Sequence, residues 1–108
     1  MATTYKVLGQ SNPAATTDTT LYTVPAATQT VVSTITVANL GTSGTFRIAI
    51  RPDGASIANQ HYIAYETSLN ANDTITFTIG VTLDATDVIT VRASNTSFAF
   101  QAFGSEIA

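Results

Sequence analysis

The amino-acid sequence predicts an all-β protein: a single-domain, antiparallel, jelly-roll-like β-sandwich of seven or eight strands. Three observations carry that prediction. Short segments rich in Thr, Val, Ile and Ala, such as TFRIAIR and NDTITFTIGV, alternate residue types with period two. Gly, Pro, Asn or Asp closes each segment, at the roughly eight-to-twelve-residue spacing of sandwiches and barrels. No segment carries a sustained helical period.

Thr3–Gln10 reads as a short strand in which Tyr5 and Val7 alternate with Lys6. Ser11–Thr20 (SNPAATTDTT) has no apolar period and reads as an arm or connector. Leu21–Val24 is a short strand ended by Pro25, a residue confined to strand ends and edges. Thr30–Asn39 gives the strongest strand signal, with Val31, Ser33, Ile35 and Val37 on one face and Val32, Thr34, Thr36 and Ala38 on the other. Both faces are apolar enough for a central strand.

Gly41–Gly44 is a loop, and Thr45–Arg51 then points Phe46, Ile48 and Ile50 inward and Arg47, Ala49 and Arg51 outward. Arg51-Pro52-Asp53-Gly54 suits a type I turn. Ala55–Gln60 is ambiguous between loop and helical turn. His61–Glu66 reads as a strand with Tyr62 opposed to His61, Ile63 and Tyr65. After a turn at Asn70–Asp73, Thr74–Leu83 alternates as one strand with Ile75, Phe77, Ile79 and Val81 inward. Asp84–Asp87 turns the chain into Val88–Ala93, whose core positions are Ile89 and Val91. Ser97–Phe103 is last, with Phe98 and Phe100 on one face and Phe103 on the other.

The 108 residues allow one core, divided into an N-terminal strand and arm over 1–20 and the sandwich over 21–108. The chain has no cysteine, which excludes disulfides and thiolate metal sites. MATTYKVLGQ lacks the basic start and apolar core of a signal peptide. No apolar run approaches the ~18 residues of a membrane helix, so no membrane partner is expected. Charged residues are 10% of the chain, far below the ~25% usual in soluble domains. The net charge is -3, and the four cations, Lys6, Arg47, Arg51 and Arg92, are scattered. Nucleic acid is therefore not an expected partner, since phosphate binding needs clustered cations. A surface so poor in charge points to assembly with other protein.

Chemistry is hard to find in this sequence. His61 is the sole histidine and has no companion at metal-ligand spacing. Five of the seven carboxylates fall in or beside turns, where Asp caps backbone N–H groups. Asp84 and Asp87 share a turn but match no calcium loop. No G-x-S-x-G or phosphate loop is present. The chain is expected to be no enzyme, with no catalytic, cofactor or metal residue and no small-molecule substrate. The interface candidates are Tyr62, Tyr65 and His61 in HYIAYE, Phe103 opposite the core phenylalanines, and Arg47 and Arg51 on one strand face. For each, ordinary packing or a solvated face stands beside partner contact.

Four stretches, LYTVPAATQTVVSTITVANLG, TFRIAIRPDGASIANQHYIAYE, NDTITFTIGVTLDATDVITV and SFAFQAFGSEI, resemble small virion structural proteins of tailed bacteriophages, cyanophages among them. The resemblance spans roughly residues 21–107 and contains no catalytic motif. It implies a capsid decoration (cement) protein, homotrimeric, bound to the major capsid protein on the virion exterior after synthesis in the host cytoplasm. On that view the arm over 1–20 reaches a neighbour and orders on binding, and the lack of a long extension favours decoration over a fibre. The rival expectation is a tail-fibre, tail-tip or carbohydrate-binding host-recognition module using Tyr62, Tyr65 and His61. The absence of Trp weighs against it.

Overall fold

In the computed structural model, which describes residues 2–108, the alternating segments form nine strands. They are β1 (Thr3–Ser11), β2 (Thr19–Thr23), β3 (Gln29–Asn39), β4 (Gly44–Arg51), β5 (Tyr62–Leu69), β6 (Thr74–Phe77), β7 (Val81–Leu83), β8 (Val88–Ala93) and β9 (Phe98–Ile107). One sheet, sheet A, has the order β1-β9-β3-β6, with β7 also on β3; the other, sheet B, has the order β2-β8-β4-β5. The fold is the expected antiparallel sandwich.

Its winding explains the order. β1 pairs with β9, β2 with β8, β3 with β6 and β7, and β4 with β5, all antiparallel. The chain is thus one long hairpin, folded back at residues 52–61 and rolled so that β9 also meets β3 and β8 also meets β4. That is the jelly-roll winding.

The roll closes over an aromatic cluster. Phe46 of sheet B lies 6.1 Å, centroid to centroid, from each of Phe77, Phe98 and Phe100 of sheet A. Two of these contacts are edge-on, the arrangement the ring quadrupoles favour. Ile35, Val37, Ile48, Ile89 and Val91 complete this layer without exposure. Burying each large side chain contributes about 1.5–3 kcal/mol.

Towards the opposite end the sheets are joined by polar groups. The Tyr22 hydroxyl of β2 crosses the sandwich to donate to Glu106 Oε2 on β9 at 2.6 Å. It lies 2.8 Å from Thr30 Oγ1 on β3, and because its one proton goes to the carboxylate, Thr30 is the donor there. Lys6 Nζ reaches Glu106 Oε1 at 3.2 Å. The turns are tied in the same way, since Asp87 accepts the backbone N–H groups of both Asp53 and Asp84 at 2.8 Å.

The structure corrects several local expectations. Thr74–Leu83 is two strands, because Gly80 takes a left-handed conformation (φ +62°) and leaves Ile79 pointing to solvent. That break accounts for nine strands where seven or eight were expected. In β3 the expected faces change partners at Ser33, an extra residue against β9. Val32 therefore joins Ile35 and Val37 in the core, while Val31 is exposed. The turn after β4 is not type I, since Asp53 itself is left-handed (φ 53°). The ambiguous stretch runs into a single 3₁₀ turn, Asn59–His61, so His61, expected to open the next strand, belongs to the turn and the strand starts at Tyr62.

Residues 2–20, read as strand and arm, lie against the body of the domain; Met1 lies outside the described residues. β1 is an edge strand of sheet A, the Asn12 amide donates to the carbonyls of Thr96 and Phe98, and Thr16 N–H donates to Ala93.

Burial and the hydrogen bond to Glu106 push Tyr22 up to about 12, while Tyr22 and then Lys6 hold Glu106 below its ordinary carboxylate value. The two signs differ. The depressed Glu106 stabilises the fold above the unfolded carboxylate value, about 4.3, and that contribution is lost as pH falls through the folded value. The raised Tyr22 stabilises fully below about 10, and the contribution is lost as pH rises through about 12. Chemical denaturation across pH should show both losses. Tyr22→Phe should cost about 1–3 kcal/mol at neutral pH, by leaving Thr30 and Glu106 without their partner, and should remove the alkaline loss.

Candidate functional site

The outward surfaces of the two sheets differ in chemistry. On sheet B, Arg47 and Arg92 stand directly opposite each other on β4 and β8, and Arg51 projects from the same face of β4. Three of the chain's four cations thus share one face. Like charges placed opposite across a ladder repel, and here each is offset by its own carboxylate. Arg47 Nε meets Glu66 at 2.8 Å, and Arg92 Nη1 lies 3.5 Å from Asp18.

Two bulges place aromatics beside Arg47. Ile63 is an extra residue between the pairs Ala49–Tyr62 and Ile48–Ala64. One turn of chain later, Tyr65 and Glu66 together oppose Arg47, with Glu66 left-handed at φ 49°. Each bulge shifts the inside–outside alternation by one residue. Tyr62 and Tyr65, expected on opposite faces, therefore lie on the same one, edge to face at 4.8 Å. The Arg47 guanidinium sits 4.4 Å from the Tyr65 centroid and 6.0 Å from that of Tyr62. The hydrogen bond that Arg47 donates to Glu66 holds its guanidinium above its ordinary value. Beside the tyrosines is an open hollow of about 430 Å³ lined by Asn59, Tyr62 and Tyr65.

The other candidates fall elsewhere. Arg51 is turned to the fold-back of the hairpin, donating to the carbonyls of Ala55 and Gly54 at 2.7 and 2.9 Å, which is a structural role. His61 Nδ1 accepts the backbone N–H of Ala58 at 3.0 Å and closes the 3₁₀ turn. Phe103 lies on the opposite sheet, away from the tyrosines. Sequence reasoning missed Arg92, Glu66 and Asn59 as neighbours of this site. The alternation of Ile89 and Val91 does place Arg92 outward, whereas Glu66 and Asn59 depend on a bulge and a turn that the sequence does not announce.

Sheet A presents a neutral surface. Its outward residues include Tyr5, Val7, Val31, Thr36, Gln101 and Phe103, as fixed by the pairings of β1, β9 and β3. Thr74, Thr76 and Thr82 continue it on β6 and β7. No Asp, Glu, Lys or Arg lies among these positions. Lys6 and Glu106 sit on the inward side of the same sheet, bonded to each other.

No protein-family model matches the chain, and no curated protein matches it. Among solved structures the chain is similar to one from the structure of the infectious bursal disease virus Gx strain, at 10% identity and a TM-score of 0.46. The match covers 97% of this chain and 30% of that one, so this chain spans under a third of the protein it matches. A likeness this remote assigns no function. The surfaces do more.

The Arg47–Tyr65 contact should be measurable as a coupling of about 0.5–1 kcal/mol in a double-mutant cycle with Arg47→Ala and Tyr65→Ala. Additive single effects would mean that the guanidinium is held by Glu66 alone.

Proposed function

We propose that the protein is a structural component of a virus particle, a decoration (cement) protein that docks on the outside of a tailed-phage capsid. The observation that carries this reading is the neutral outer face of sheet A. Docking that surface on protein desolvates no charged side chain, so it avoids the largest cost of burying polar surface. Tyr5, Val7 and Phe103 supply apolar anchors, and the threonine hydroxyls can pair with carbonyls of a partner. The partner is the major capsid protein, the assembled state a homotrimer and the location the virion exterior. Adding buried area across the junctions between shell subunits stabilises the shell by mass action. The sequence resemblance supports the same reading, and the jelly-roll winding recurs in capsid and lectin domains, a link at the level of fold.

A second reading is favoured by the hollow lined by Asn59, Tyr62 and Tyr65. Tyrosine rings can stack on sugars and an amide can bond hydroxyls, as in a carbohydrate-binding, host-recognition module of a tail.

The two readings differ in abundance. Quantitative mass spectrometry of purified virions should give a fixed, large ratio of this protein to the major capsid protein; a handful of copies per particle would move it to the tail. Thr36→Glu together with Thr82→Glu should abolish binding to purified shells with little change in Tm, because both side chains are outward and the two positions are not opposite each other in the ladder. On a glycan array the wild-type protein should be silent. Binding removed by Tyr65→Ala would establish the second reading.

A further inference from the structure

The geometry points to a second copy of this chain on the free edge of β1, with the two β1 strands antiparallel about a two-fold axis at Tyr5. The argument begins with hydrogen-bond parity. Ala2 and Ala108 exchange both backbone hydrogen bonds, at 2.8 and 2.9 Å. In an antiparallel ladder such narrow pairs alternate with wide ones, so Thr4 and Lys6 also bond towards β9. Thr3, Tyr5 and Val7 then direct their N–H and C=O groups away from the sheet, with no strand beyond them.

The edge is open over a defined length. Every residue from Ala2 to Val7 is exposed, Tyr5 at 83% and Val7 at 47%. Beyond the bulge at Leu8 the strand runs against β2, where a Cβ on Gly9 would lie 2.1 Å from the Leu21 carbonyl oxygen. Natural edges are blunted by lysine, proline or charge. This stretch has no proline, and its one lysine is drawn off to Glu106.

Symmetry then selects the register. Centred on Tyr5, Thr3 meets Val7 of the second copy, Tyr5 meets Tyr5, and each of these pairings exchanges two hydrogen bonds. The tyrosine rings lie side by side on the neutral face, and aromatic cross-strand pairs are favourable. Lys6 faces Thr4 of the second copy and keeps its bond to Glu106. Centring one residue later would set Lys6 against Lys6, and one residue earlier would leave Val7 without its pairing to Thr3. The Tyr5-centred arrangement joins the two sheets A into one and doubles the neutral surface.

This two-fold contact belongs to the protein free in solution and uses the β1 edge; it is distinct from the three-fold state proposed on the shell, and it is tested on the isolated protein without shells. Sedimentation velocity over a dilution series should show dimers dissociating to monomers. Tyr5→Pro removes an N–H that makes no bond to β9, so it should give a monomer at every concentration with an unchanged Tm. In a chain without other cysteines, an equal mixture of Thr4→Cys and Lys6→Cys should give a disulfide-linked dimer on oxidation, because these positions face each other in a non-hydrogen-bonded pair with Cα atoms about 4.5 Å apart and Cβ atoms closer than in the hydrogen-bonded pairs. Thr4→Cys alone should stay uncross-linked. A wild-type protein that is monomeric throughout, association that survives Tyr5→Pro, or cross-linking of Thr4→Cys alone equal to that of the mixture would overturn the proposal. Pairing with a strand of a different protein would register as the first of these.

Discussion

Phe46 is the residue on which the two sheets depend. It is the one aromatic that sheet B sends into the layer, and it meets three phenylalanines of sheet A at equal distance. Its seat is fixed from both sides, because β4 is held between β8 and β5 while Phe98 and Phe100 lie on the central strand of the other sheet. Filling the interior with rings from both sheets sets the spacing between them. Interior groups farther from the cluster must meet that spacing, and the Tyr22 hydroxyl, reaching Thr30 and Glu106 across the gap, is the polar group that does so. The core uses most of the large apolar residues of the chain and leaves two outer faces of very different character.

Bulges create that difference. A regular strand would place alternate residues on each face without exception. Here Ser33 moves Val32 into the core, and Ile63 and Glu66 bring Tyr62 and Tyr65 to one side. Leu8 and Ser33 bulge on opposite sides of β9 near the same level, next to Gly104, where a Cβ would lie 2.0 Å from the Val31 carbonyl oxygen. The close approach explains why glycine stands at that position. These irregularities cost hydrogen bonds locally, and in return they re-aim whole sets of side chains.

The architecture was legible in the sequence because alternation survives wherever strands are regular. Thr45–Arg51 and Val88–Ala93 were read correctly to the residue face. Reading failed where a bulge intervened, and the reason is compositional. Apart from Gly54 and Gly80, the left-handed positions are occupied by Thr16, Ala27, Asp53, Glu66, Asn72 and Thr86. Only the Asn and Asp among them carry a turn signal, so a shift at Glu66 leaves no trace in the sequence. The candidate site suffered most, since Tyr62, Tyr65 and Arg47 were each singled out but only two successive bulges bring them together. Arg51 and His61 looked equally available in the sequence, yet nearby backbone groups claim both.

The position of β9 bears on how the protein is made. This strand lies between β1 and β3 in sheet A, and it is the last of the nine to leave the ribosome. Until Phe98–Ile107 emerges, β1 has no neighbour in its sheet, and β3 can pair only with the short β6 and β7. Phe46 meanwhile lacks two of its three ring partners. Until then the chain carries unpaired edges and an open interior, the condition in which strand-rich chains aggregate. Closing sheet A therefore waits on Phe98–Ile107, whatever the order in which the other strands pair.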